Sequence, residues 1–145
     1  MVTQMTASGG HRLPKKIIIF GGMFWLDAVE KLLRDAGVSQ VIRVMSIDMG
    51  PALIEAIRRH KDVGALIVSG QAIRPQLGIV MQKVRSITRV PVLLVMPRTI
   101  AARQMSELKA VGVMAVVVQE ATMYDELMAA FVKMMDARPQ LRLVK

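Results

Sequence analysis

The chain alternates between two spacings of apolar residues. Ile17-Ile18-Ile19-Phe20 form an unbroken β-favouring run between Lys15-Lys16 and Gly21-Gly22, the pattern of a buried strand. From Leu26 to Ala36 the spacing becomes helical, with Leu26, Val29, Leu32, Leu33 and Ala36 on one face and Gly37 as a stop. The alternation then repeats. Val41–Met45 reads as a second strand, and Arg43 in its middle marks it as edge-like. Asp48-Met49-Gly50-Pro51 opens a second helix, with Asp48 as cap, Pro51 in the first turn and Leu53, Ile54 and Ile57 on the apolar face. Val63–Ser69 is a third strand ending at Gly70, and Ile79, Val80, Val84 and Ile87 set a third helix over residues 79–87. Pro91–Met96 is a fourth strand closed by Pro97, and Thr99 caps a fourth helix over 100–111 that Gly112 ends. Val113–Val118 is the fifth strand. Thr122 precedes a fifth helix with Tyr124, Leu127, Met128, Phe131 and Met135 on one face.

Five strand–helix units predict one α/β domain over residues 15–136, a doubly wound parallel sheet between two helical layers. Residues 1–14 read as a flexible leader because Gly9-Gly10 and Pro14 break any pattern, and 137–145 read as a basic C-terminal tail. In this class the binding crevice lies beyond the C-terminal ends of the strands. Chemistry is therefore sought at Gly21–Trp25, Asp48–Met49, Ser69–Arg74, Met96–Thr99 and Gln119–Ala121.

Composition narrows the chemistry further. Hydrophobic residues make up 53% of the 145 positions but aromatics only 3%, so the core is built from Val, Ile, Leu, Ala and Met. With no cysteine there are no disulfides or thiolate metal sites, and His11 and His60 are too far apart in sequence to suggest a histidine metal site. No apolar run approaches the ~20 residues of a membrane span, and the first residues lack the basic-then-apolar order of a secretory signal. A cytoplasmic location is the resulting expectation. The net charge of +9 raises nucleic acid as a partner. The basic residues are scattered, however, and the one cluster, Arg58-Arg59-His60-Lys61, falls at a helix end where cations complement the helix dipole.

The order and spacing of these units resemble the receiver domain of response regulators in two-component signalling, over roughly residues 15–136. The best local match is residues 91–131, which follow that family's fourth strand, fourth helix, connecting turn, fifth strand and fifth helix in phase. The resemblance implies a flavodoxin-like (CheY-like) fold, strand order 2-1-3-4-5 and a role in signal transduction. It fails at the chemical positions. The two acidic residues that hold magnesium at the end of the first strand fall on Gly21 and Gly22, and the phosphate-accepting aspartate falls on Ser69. The hydroxyl residue of the fourth strand falls on Met96, the lysine of the fifth on Gln119, and the proline after it on Glu120. Magnesium requires hard oxygen ligands, and phosphoryl transfer requires a cation to neutralise developing charge. Nothing in the sequence aims Asp27 or Asp48 at Ser69, and Ser69 has no nearby base. A pseudo-receiver with no metal, no cofactor and no catalytic residue is the expectation.

Met23, Phe24, Trp25, Met96 and Pro97 gather at the predicted strand ends. They either fill the space of the lost ion, a role that suits methionine, or form an apolar docking surface. Burial of Trp25 decides between these. The resemblance also implies an interaction face on the fourth helix, fifth strand and fifth helix, with Arg103, Glu107, Lys109, Glu120, Tyr124 and Asp125 as candidates. Protein partners, including a second copy of the chain, are expected there; the alternative is an ordinary solvated face with a few ion pairs. Tyr124 falls just inside the fifth helix, so the family's aromatic switch in the fifth strand has no clear counterpart. Two further readings stay open: a small-ligand or nucleotide site at the Gly21-Gly22 turn, although G-x-G-x-x-G is absent, and a basic nucleic-acid-associated protein.

Overall fold

The computed structural model describes residues 13–46, 50–73, 76–96, 101–118 and 123–144, with side chains except at 123–125 and 137–144. Strands β1 (Lys16–Gly21), β2 (Gln40–Met45), β3 (Ala65–Ser69), β4 (Val92–Met96) and β5 (Val113–Val118) pair in parallel, in the order β2-β1-β3-β4-β5. Helices α1 (Met23–Asp35), α2 (Pro51–Arg59), α3 (Leu77–Ile87), α4 (Ala102–Ala110) and α5 (Met123–Val144) follow the strands in turn.

Side chains alternate across a strand, so each apolar run divides between two cores. Ile17 and Ile19 join Leu26, Val29 and Leu33 of α1 and Leu127 and Phe131 of α5 on one face. Ile18 and Phe20 join Leu53 and Ile57 of α2, Val80 and Val84 of α3 and Leu108 of α4 on the other. This is why β3 and β4 are buried along their whole length, and β1 at all but Lys16. The edge strands β2 and β5 are only partly covered.

The edge position of β2 explains Arg43. Its guanidinium reaches Asp27 at 2.7 Å and Glu30 at 3.0 Å, both on α1. Arg34 also donates to Glu30, at 2.8 Å. The Arg34 bond, with that from Arg43, holds the Glu30 carboxyl below the ordinary glutamate range. Asp27 is thus committed to a helix–strand seam.

Several boundaries differ from the sequence expectation. Helix α1 begins at Met23 with Gly22 as N-cap, three residues before the apolar spacing starts. Asp48 lies outside the described residues, and the N-cap of α2 is Gly50, at φ +120°. A Cβ there would approach Val80 Cγ2 to 3.0 Å, so the start of α2 sits tightly on α3. The N-cap of α4 is Ala101 rather than Thr99, which also lies outside the described residues. A 3-10 turn, Gly70–Ile73, separates β3 from α3 and buries Ile73. Val63 is buried but precedes β3.

At the N-terminal side, Leu13 packs against the α1–α5 core and the Pro14 ring rests against Gly64. Packing therefore starts within the stretch read as leader. At the other end, the backbone of α5 continues past residue 136 to Val144, running through Pro139, which contributes no amide donor. No helix among the described residues is long and apolar enough to cross a membrane.

Candidate functional site at the C-terminal edge of the sheet

The parallel register brings the ends of β1, β3 and β4 to one edge. Gly21 closes β1, Ser69 closes β3 opposite Val95, and Met96 closes β4. Helix α1 leaves this edge directly, because Gly22 already has its N-cap conformation. Trp25 therefore sits one turn above Gly21, and side chains on a helix lean back toward its N-terminus.

The indole uses that geometry to cover the edge. A Cβ on Gly21 would lie 2.5 Å from Trp25 Cε3, 2.9 Å from Cζ3 and 3.1 Å from the Cβ of Ser69. Any side chain at residue 21 and the present position of Trp25 exclude each other. Met96 does the same one strand over, its sulfur lying where a Cβ on Gly70 would go. Met96 and Ser69 are both buried. Trp25 is partly buried and packs against the α1–α5 core. Its Nε1 is buried and finds no acceptor among the described residues, which costs about 1–3 kcal/mol that the ring's packing must offset.

The five residues proposed for an apolar crevice therefore divide. Trp25 and Met96 turn inward and fill space. Met23 and Phe24, in the first turn of α1, face solvent at 52% and 86% exposure. Pro97 lies outside the described residues, as do Gln119 and Glu120. A Cβ on Gly22 would meet nothing within 4 Å, and its φ of −76° suits any residue. The two glycines are therefore unlike: Gly21 is required by the indole, and Gly22 by no contact.

Among its described residues this edge supplies no carboxylate for a magnesium ion. Gly21 and Gly22 offer no side-chain oxygen, Asp27 is held by Arg43, and the space beside Gly21 holds an aromatic ring. Among the described residues, no group of three His, Asp, Glu or Cys side chains could hold a metal ion.

The second candidate surface is more open. Arg103 and Glu107 of α4 are strongly exposed and pair one turn apart at 3.8 Å, an arrangement of little energetic weight. Lys109 is exposed beside them, and Leu108 is the one buried residue of α4. Tyr124 and Asp125 lie in the first turn of α5, and their side chains are outside the described set. Sequence reasoning missed the pairing of each large residue with a particular glycine, Trp25 with Gly21 and Met96 with Gly70. The only signals were Gly21 where the family resemblance expects an acid and Met96 where it expects a hydroxyl residue; nothing in the resemblance marked Trp25 or Gly70.

No family model and no curated protein matches the chain. Solved structures do resemble it. The receiver domain of a histidine kinase from Arabidopsis thaliana, solved with Mg2+ and BeF3−, superposes with a TM-score of 0.66 at 13% identity, covering 89% of this chain and 95% of that one. A protein described as pilus-assembly-related, from Burkholderia pseudomallei, gives 0.62 at 16% identity over 83% of this chain and 91% of its own. One described as a pilus assembly protein, from Burkholderia thailandensis, gives 0.60 at 15% identity, covering 81% and 98%. These likenesses establish the fold: a flavodoxin-like α/β domain of the receiver type. At such identities they carry no chemistry across.

Proposed function

We propose that this chain is a receiver-like signalling module that works by protein contact and takes no part in phosphoryl transfer. The observation that carries the reading is the indole of Trp25 in the space where a side chain at Gly21 would stand, with Ser69 bordering the same space. In a phosphorylated receiver, that edge must admit an ion, an acceptor carboxylate and a phosphoryl group. Here an indole and a thioether take the spaces beside Gly21 and Gly70, which supports a scaffold that does not switch by phosphorylation. The exposed surface of α4, with Arg103, Glu107 and Lys109, and the adjoining β5 edge are the proposed docking face, to which the sequence resemblance also assigns Glu120, Tyr124 and Asp125. A place inside a larger protein assembly accords with the pilus-assembly descriptions of two of the fold neighbours.

Sedimentation velocity over a range of protein concentrations, with and without Mg2+ and beryllofluoride, tests the independence from phosphorylation. The two series should coincide, and any self-association should weaken in Lys109→Glu. A change of assembly state on adding the phosphate mimic would overturn the reading. A nucleotide site at Gly21-Gly22 is the competing reading. A thermal-shift screen against nucleotides separates the two, since only that reading gives a stabilisation that a bulky residue at Gly22 removes.

A further inference from the structure

A groove of about 630 Å³ runs between α2 and α3, on the sheet face away from α1 and α5. Its floor and rim follow helical spacing on both sides. Ile54 and Arg58 stand one turn apart on α2, while Ile79, Lys83 and Ile87 stand on successive turns of α3. Ile79 is 56% exposed, which makes it a large apolar side chain left in water on this face. From residue 76 to residue 87 the helical rise spans roughly 16 Å, or three turns. Gly50 against Val80 fixes the two helices together at one end of the groove. Beyond Arg58 and Ile87 it continues into a second hollow of about 430 Å³, where Lys61 is added to the lining.

The charge on this groove is one-sided. Arg58, Lys61 and Lys83 make no ion pair among the described residues. Glu55 is the one acid lining either hollow among those residues, and it is engaged by Arg59 at 3.4 Å. Helix α3 carries Lys83 and Arg85 and no acid at all. From this we infer that the α2–α3 groove receives an acidic amphipathic helix of a partner protein, about three turns long. Its apolar stripe lies on Ile54, Ile79 and Ile87, and its carboxylates face Arg58 and Lys83. An isoleucine floor calls for apolar side chains, which a nucleic acid backbone does not present, and the lining has no Phe, Tyr or Trp ring on which a base could stack, His60 of the second hollow being its one aromatic ring among the described residues. A concave, three-turn groove also suits a rod better than a flat lipid surface. This surface is separate from the α4–β5–α5 face.

The probe is a synthetic helical peptide with leucines at i, i+3, i+4 and i+7 flanked by glutamates, compared with the same peptide carrying lysine for every glutamate. Binding is followed by anisotropy of the labelled peptide and by amide chemical shifts of the protein. The glutamate peptide should bind saturably and shift amides of α2 and α3, and the lysine peptide should not bind. Lys83→Glu or Arg58→Glu should weaken binding about tenfold by turning attraction into repulsion at the rim, and Ile79→Asp should abolish it. All three side chains are exposed, so circular dichroism should show each variant folded. No saturation by about 1 mM glutamate peptide, equal binding of both peptides, or insensitivity to these substitutions overturns the inference. So does tighter binding of duplex DNA or phosphatidylglycerol vesicles through the same residues.

Discussion

Replacing Gly21 by alanine tests the packing at the sheet edge with a single methyl group. Carbon atoms in contact lie about 3.5–4.0 Å apart, whereas the new Cβ would sit 2.5 Å from Trp25 Cε3. The overlap is roughly 1 Å, with a ring atom rather than the free end of a flexible chain, and Ser69 blocks a second direction at 3.1 Å. Overpacking of this kind costs about 1–3 kcal/mol. Trp25→Ala alone should cost a similar 1–3 kcal/mol. That is less than a fully buried tryptophan, because the ring is partly exposed and its unpaired N–H is lost with it. In the double variant only the 3.1 Å approach to Ser69 remains, so most of the cost of Gly21→Ala should disappear. Urea unfolding of the four proteins then gives a coupling energy of about 1–3 kcal/mol. Gly22→Ala is the control: open space, an ordinary φ, and opposing small effects at an N-cap predict a change within about 0.5 kcal/mol. If Gly21→Ala is as damaging without Trp25 as with it, or harmless in the native chain, the indole does not occupy the edge as described.

The Glu30 carboxyl, lowered by Arg34 and Arg43, titrates below its unfolded value. The stability it contributes is present above about pH 4.3 and is lost as pH falls through the lower folded value. Glu30→Gln should therefore lower the urea midpoint at pH 7 and converge with the native chain under acid; a constant gap would deny the ion pairs. Gly50→Ala should cost about 1–3 kcal/mol, because φ +120° strains any side chain and Val80 stands 3.0 Å away. A thermal melt matching the native chain would contradict the positive-φ cap.

The sequence revealed most where burial is two-sided. The runs at Ile17–Phe20 and Leu93–Val95 are apolar at every position because both faces are covered, and Arg43 marked β2 as an edge because a guanidinium needs water or carboxylates. The start of α1 was hidden for the opposite reason. Met23 and Phe24 are exposed apolar residues, so they carry no burial period, and the apolar spacing begins only at Leu26. That shift of three residues puts Trp25 within reach of Gly21, and no pattern along the chain reports a contact between the end of a strand and the next turn of helix. The 3-10 turn after Ser69 escaped likewise, since Ile73 alone sets no period. The pairing across the α2–α3 groove arises only when two distant helices meet.

Trp25 is the one tryptophan in the chain, and its ring takes the space beside Gly21, at the edge where the proposed reading excludes an ion and a phosphoryl group. Its fluorescence during a titration with Mg2+ and beryllofluoride is therefore the most direct measure of the central claim. A closed, ion-free edge predicts emission unchanged in intensity and wavelength throughout. A saturable change that requires both reagents would show that the edge opens to a phosphate mimic, and the chain would then be a working receiver.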